Sequence, residues 1–276
     1  RRQKIGAYPL SRAGAAELDG TIFTLRAMGY IGQNDQLTLK GRLLRSIFHP
    51  AGIAIIELIM SGVLDGLMAQ ELAEVCSWFT FDSDRRLNNR SLVHNRLIKV
   101  RKELWRVIQH IHGIEGRAGI TYTPAVVTEF HGVALAWARG MSLSGLLRRI
   151  DLGEGDILML LNQTIDLLQQ VQSAVGQVLD AKDIWERITL VMTDGVSTER
   201  MSPTHTEQLQ QQRERLERLR PLLAQASSSL LHGIIVQSRT VPSMATRVEG
   251  EILLLDAEED RDAHDLKDPQ AFAGEV

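Results

Sequence analysis

Apolar and polar positions sort at helical spacing most clearly between residues 134 and 175. Ile157, Leu160, Leu161, Ile165, Leu168 and Val171 recur at intervals of three and four, and Met159, Asn162, Gln163, Asp166, Gln169 and Gln170 fall on the opposite side. This pattern predicts one long amphipathic helix over 156–172 with a core face and an available face. Upstream, Ser142 is placed to cap a short helix over 143–150. Gly153 and Gly155 then let the chain reverse, and Asp156 is placed to cap the long helix. The result is a helical hairpin or helix-turn-helix.

The rest of the chain predicts further helices. Ile22, Leu25 and Met28 mark a short helix ending at Gly29, and 30–38 reads as a turn running into an extended piece, either a wing or an ordinary loop. Pro50 starts a helix buried on more than one side, through Ile53, Ile56, Ile59, Met60 and Val63. The next helix, 68–81, has Leu72, Val75, Cys76 and Phe79 as its inner stripe. A polar connector, 82–89, precedes a helix over 92–112 with Leu97, Val100, Leu104, Val107, Ile108 and Ile111 inside. Arg96, Lys99, Arg101, Lys102 and Arg106 are interleaved with them, so this helix is basic over much of its surface. That charge is either a solvated face or a track for a phosphate backbone. Glycines 113, 116 and 119 end the helix, and Pro124 begins one running to Arg139.

Four regions follow from this reading: 1–19, a linker from upstream sequence; 20–192, a helical bundle; 193–232, a loop and a Gln/Arg-rich helix; and 233–276, a β-hairpin and an acidic tail. In the third, Leu209, Leu216, Leu219, Leu222 and Leu223 mark a protruding or surface-packed helix that Pro221 should kink or end. In the fourth, 230–241 and 251–255 have β-type composition. The run Glu258, Glu259, Asp260, Asp262, Asp265 and Asp268 reads as disordered. The fold class is all-α: a multi-helix bundle with an extra C-terminal helix and a short β-hairpin.

Composition narrows the functional classes. With 276 residues and 44% hydrophobic content there is enough chain for a substantial core. A formal charge of −3 gives no global attraction to nucleic acid or anionic lipid, so such binding needs a local patch. Cys76 stands alone, which excludes an internal disulfide framework and fits a reducing, cytoplasmic setting. No apolar run reaches membrane-spanning length, because Glu57 and Asp65 break the best one. The chain opens on Arg1, as a cut, processed or incompletely described sequence would.

No enzymatic constellation is visible, so no catalytic or metal-ligating residue and no cofactor is assigned to this segment. The Gly140-Met141-Ser142-Leu143-Ser144-Gly145 stretch lacks the single-residue spacing of a nucleophile elbow. His110 and His112 point apart on a helix, and the other histidines show no ligand spacing. The tryptophans at 78, 105, 137 and 185 read as core residues of a bundle.

Three blocks resemble a known family. Met28-Gly29-Tyr30-Ile31 with Leu39-Lys40-Gly41-Arg42 resembles the opening, and Glu57-Leu58-Ile59-Met60-Ser61-Gly62-Val63-Leu64 the second helix, of the DSHCT domain. This is the C-terminal domain of superkiller-type DExH-box RNA helicases. Trp137-Ala138-Arg139-Gly140, Leu146 and Asp151-Leu152-Gly153-Glu154-Gly155-Asp156-Ile157 resemble its signature. The blocks occur in family order over 20–176.

The resemblance implies a helical bundle packed on two ATPase domains, with 156–172 lining a single-stranded RNA channel as a ratchet. Its RNA-facing positions would be Met159, Asn162, Gln163, Asp166 and Gln170, with Arg148, Arg149, Arg96, Lys99, Arg101 and Lys102 as the basic candidates. In typical members the first three ratchet positions are mostly basic. A neutral amide makes a weaker bond to phosphate than arginine does and releases no counterion. ATP and Mg would belong to the parent helicase, since every lysine here is preceded by a residue other than glycine and the Gly-Lys-Ser/Thr phosphate loop is absent. The resemblance thus implies an accessory domain that guides RNA and braces an ATPase core, on the same polypeptide or a separate one. A free-standing helical interaction module and a helix-turn-helix DNA-binding protein are the alternatives.

Overall fold

The structure is a computed structural model that describes residues 12–32, 35–81, 97–125, 132–182, 185 and 203–238. Nine helices run through them: α1 (Arg12–Ala27), α2 (Leu39–Leu44), α3 (Gly52–Ser61), α4 (Ala69–Thr80), α5 (Ile98–Ala118), α6 (Val133–Ala138), α7 (Leu143–Arg149), α8 (Glu154–Leu179) and α9 (Pro203–Ser238). The only pairing of extended backbone among the described residues is an antiparallel bridge between Ile31 and Leu37. The all-α class is therefore correct.

Packing is centred on α4 and α8, which lie against each other and are both crossed by α9. α2 covers another part of α8, α6 packs on α4 and α9, and α7 leans on α6. On the far side α5 packs on α1 and α3. Ile55 and Leu58 of α3, Val75 and Cys76 of α4, Val171 of α8 and Leu219 and Leu223 of α9 converge on one apolar junction. Burial there pushes the Cys76 thiol up to about 12, so it stays neutral and acts as a small hydrophobe.

Residues of the first two blocks, at the N-terminal end of the bundle, form one polar knot. Tyr30, 1% exposed, donates its hydroxyl to Glu57 Oε1 (2.9 Å) and Lys40 Nζ reaches the same carboxylate at 2.8 and 3.0 Å. Lys40 also bonds the Met28 carbonyl (3.2 Å) and lies 5.5 Å from the Tyr30 ring centre. Burial, then the Glu57 charge, raise the Tyr30 pKa, so the phenol stays a donor. Gly41 is required beside the knot, because a Cβ there would sit 2.2 Å from the Tyr30 carbonyl oxygen.

Two buried carboxylates close helix ends and turns. Gly132 offers no side-chain cap to α6, and Glu74 of α4 fills that role by accepting from Gly132 N (2.8 Å) and Leu135 N (3.0 Å) as well as Trp78 Nε1 (2.8 Å). Glu115 of α5 accepts from Thr123 N (3.0 Å) and Thr123 Oγ1 (2.7 Å) in the same way. Each satisfies donors that would otherwise be stranded out of water.

Several elements differ from the sequence reading. α1 starts at Arg12 inside the expected linker: 12–19 is alanine-rich, and Gly20 lets α1 approach α5, where a Cβ would come within 2.6 Å of Ile120 Cγ2. α5 runs through Gly113 and Gly116 and stops only at Gly119, which takes φ +70°. Thr123, Pro124 and Ala125 are not helical, and α6 starts at Val133.

α9 is the largest correction. Leu216, Leu219, Leu223, Ala226 and Leu230 form a buried stripe on α8, α4 and α6, so the helix belongs to the core and does not protrude. Pro221 sits inside it on the exposed side, as does Glu217 one turn earlier, whose carbonyl the ring deprives of its helical donor. The expected strand 230–241 is helical as far as Ser238, because burial of Ala226 and Leu230 and the bond from Trp137 Nε1 to the Leu230 carbonyl (3.0 Å) outweigh local β-propensity. Residues 239–276, with the expected second strand and acidic tail, lie outside the described residues, as does 186–202.

Glu74→Gln is expected to lower stability by about 3 kcal/mol, because the amide nitrogen would then face either Leu135 N or both Gly132 N and Trp78 Nε1, all of them donors. At this size that is a fall of roughly 6–12 °C in Tm, read by differential scanning calorimetry. An unchanged Tm would show that the α6 N-terminus is satisfied by other means.

Candidate nucleic-acid interface

Helix α8 is 26 residues long and begins at Glu154, earlier than expected. Asp156 is therefore the third residue of the first turn and not the cap, and its Oδ2 accepts from Gly153 N at 3.3 Å. Ser142 does cap α7, accepting from Gly145 N at 3.1 Å. Ile157, Leu160, Leu161, Ile165, Leu168 and Val171 are all buried, and Met159, Asn162, Gln163, Asp166 and Gln169 are exposed. Thr164 strengthens the inner side through a 3.0 Å bond to Thr80 of α4.

The outer stripe is divided along its length. Gln170 is half-buried, and its Oε1 accepts from Phe48 N at 2.9 Å; two turns on, Gln177 Oε1 accepts from Ser46 Oγ at 2.8 Å. The α2–α3 connection is thus tied to the C-terminal part through Gln170 and the exposed Gln177, and Gln170 is a bracket for that loop where the sequence suggested an open contact. Met159, Asn162, Gln163 and Asp166 remain open over about 10 Å of helix. Their character is polar and slightly acidic.

The basic candidates are not gathered around this face. Lys99 and Lys102 are exposed on α5 and Arg101 is half-buried there, its pKa lowered by burial. α5 packs on α1 and α3, whereas α8 packs on α9, α4 and α2. Arg148, exposed, and Arg149, half-buried, sit in the last turn of α7, where they complement its carbonyl end. Arg96 lies outside the described residues. The arrangement thus offers two separate surfaces, one neutral on α8 and one cationic on α5.

Trp105 is the residue the sequence misplaced. Trp78, Trp137 and Trp185 are buried, but Trp105 is 60% exposed on α5, one turn from Arg101 and Lys102. It follows the basic stripe and not the apolar one, a phase that helical numbering discloses. Phe48, 84% exposed on the α2–α3 loop, was also missed; no local signal distinguishes it from a core phenylalanine.

No group of histidine, cysteine and carboxylate side chains suited to a metal ion occurs among the described residues, and no described helix is long and apolar enough to cross a membrane. A DNA-reading role for α7 and α8 fits poorly. The first turn of α8 carries Glu154 and Asp156, which repel phosphate, and Ile157 is wholly buried.

The family model of the DSHCT (NUC185) domain matches residues 34–186, more than half of the chain. The chain belongs to the DSHCT domain family. It is similar to the ATP-dependent RNA helicase mtr4 of Schizosaccharomyces pombe, at 23% identity over 163 residues that cover 57% of this chain and 14% of that protein. It is also similar to the Exosome RNA helicase MTR4 of Homo sapiens, at 21% identity over 178 residues, 62% of this chain and 17% of that protein. The chain therefore spans only a small part of the length of these relatives. The match ends near Trp185, so the core-forming α9 lies beyond the DSHCT match.

Iodide should quench a distinct part of the tryptophan emission, and Trp105→Phe should remove that part while leaving the protected remainder. Equal quenching of the two proteins would place Trp105 in a buried setting.

Proposed function

We propose that this DSHCT chain is the accessory C-terminal part of an ATP-dependent RNA helicase: it guides single-stranded RNA along the open part of α8 and braces the ATPase core. It performs no chemistry of its own. The ATP, Mg and hydrolytic residues of such a helicase belong to ATPase domains, on the same or a separate polypeptide. The residues here do not suit that cofactor, because no lysine in the sequence follows a glycine. A reducing, cytoplasmic setting goes with this reading. The observation that carries it is α8 itself, a core helix anchored along one side whose Met159, Asn162, Gln163 and Asp166 stay exposed on the other. The similarity to two RNA helicases supplies the class of ligand.

The open face holds no cation, so contacts there are hydrogen bonds to sugar and base edges and make little demand on counterion release. Exposed Lys99 and Lys102, beside Trp105, offer a second, electrostatic contact on α5.

Binding of a labelled single-stranded oligoribonucleotide, followed by fluorescence anisotropy at several salt concentrations, tests this. Asn162→Arg with Gln163→Arg should tighten binding and steepen the slope of log K against log salt by about 1.4, the value for two added phosphate contacts on a single strand. An unchanged slope would remove α8 from the path. Lys99→Glu with Lys102→Glu should weaken binding at low salt, and an unchanged Kd would leave α5 out of the site.

A further inference from the structure

The α2–α3 loop is braced on both sides of Phe48. Ile47, 5% exposed, is anchored in the core and its N–H bonds the Leu44 carbonyl at 3.1 Å. After Phe48, His49 Nδ1 accepts from Ala51 N (3.1 Å) and the His49 carbonyl accepts from Gly52 N (2.8 Å). Phe48 N itself is held by Gln170 Oε1, and Ser46 Oγ by Gln177 Oε1. The backbone is thus fixed to α8, and the ring is left 84% exposed.

A single exposed apolar side chain on a surface is ordinary. This one is different in position. Met159, Gln163, Asp166, Gln170 and Gln177 share one stripe of α8, and the loop is hydrogen-bonded to the last two. Phe48 stands where the loop-bonded part of the stripe begins, its N–H held by Gln170 one helical turn beyond Asp166. The open face has no cation with which to grip phosphate, so a strand lying there must be held through its bases and sugars. An aromatic ring on a rigid backbone at the end of that face is suited to receive an unpaired base, since every base presents a π-face.

We propose that Phe48 is a stacking platform for an unpaired base of single-stranded RNA, with Gln170 and Gln177 as positioning residues that hold its loop on α8. This rests on the reading of α8 as an RNA-guiding helix. The ligand contact is the base and not the phosphate, so its contribution is insensitive to salt and to base identity.

The test uses the full chain and two labelled oligoribonucleotides of equal length, oligo(U) and an abasic counterpart with the same backbone. Phe48→Ala should weaken oligo(U) binding roughly tenfold or more, with the salt slope unchanged, and leave abasic binding as in the wild type. Phe48→Trp should restore oligo(U) binding. Because the side chain is exposed, Phe48→Ala should melt with the wild type, which calorimetry checks. Wild-type affinity for oligo(U) in Phe48→Ala would overturn the proposal, as would equal weakening on both oligonucleotides. If Phe48→Ala is silent while Asn162→Arg with Gln163→Arg alters binding, the platform is wrong and α8 still guides RNA; if the wild-type chain binds neither oligonucleotide, both readings fall.

Discussion

α8 is held by apolar contacts on one side only, and that one-sided burial is the condition for everything else the bundle does. Ile157, Leu161, Leu168 and Val175 are sealed against α4, α2 and α9, so the helix cannot roll without exposing several of them. A helix fixed in rotation presents the same outer residues at all times. This is why neutral side chains such as Asn162 and Gln163 can form a defined surface at all. On a loosely packed helix, short amides would offer only an average position.

Polar groups inside the bundle act as connectors between helices that have no covalent reason to stay together. Glu74 joins α4 to the start of α6, Glu57 joins α3 to the α1–α2 region through Tyr30 and Lys40, and Arg215 of α9 donates to the Met60 carbonyl at the end of α3 (2.7 Å) while pairing with Asp65 at 3.0 Å. Each charge is matched by several donors or acceptors, which is what makes its removal from water tolerable. The residues that carry the family resemblance at the N-terminal end, Tyr30, Lys40, Gly41 and Glu57, are accounted for by this knot. Their message is architectural. The exposed face of α8 from Met159 to Asp166 is carried by residues that such blocks do not mark.

That division explains what the sequence could reveal. The inner stripe of α8 was legible because its period is unbroken over many turns, and the all-α class followed from several such stripes. The cap by Ser142 was legible because capping is a local event. α9 was misread because two local signals, Pro221 and the β-branched run Ile234-Ile235-Val236, compete with a leucine stripe whose partners lie far away in the chain. Trp105 was misread for a related reason: aromatic residues are usually buried, and exposure such as that of Trp105 depends on which neighbours arrive. Gln170 looked like one more outward amide until the α2–α3 loop, far away in sequence, was placed on it.

The separation of charge between α5 and α8 bears on how a strand would be held. α3 packs on α5, and its Ile55, Leu58 and Ile59 turn toward the junction shared with α8, so it stands between the cationic surface and the neutral one. One helix diameter is about 10 Å, already more than the Debye length of about 8 Å at physiological salt. The potential of Lys99 and Lys102 is therefore largely screened at such a separation and acts chiefly on whatever touches α5 itself. A ligand on α8 would be selected by hydrogen bonding, and a ligand on α5 by charge. Salt would accordingly distinguish the two surfaces, because a contribution from α5 would fade as ionic strength rises and one from α8 would persist.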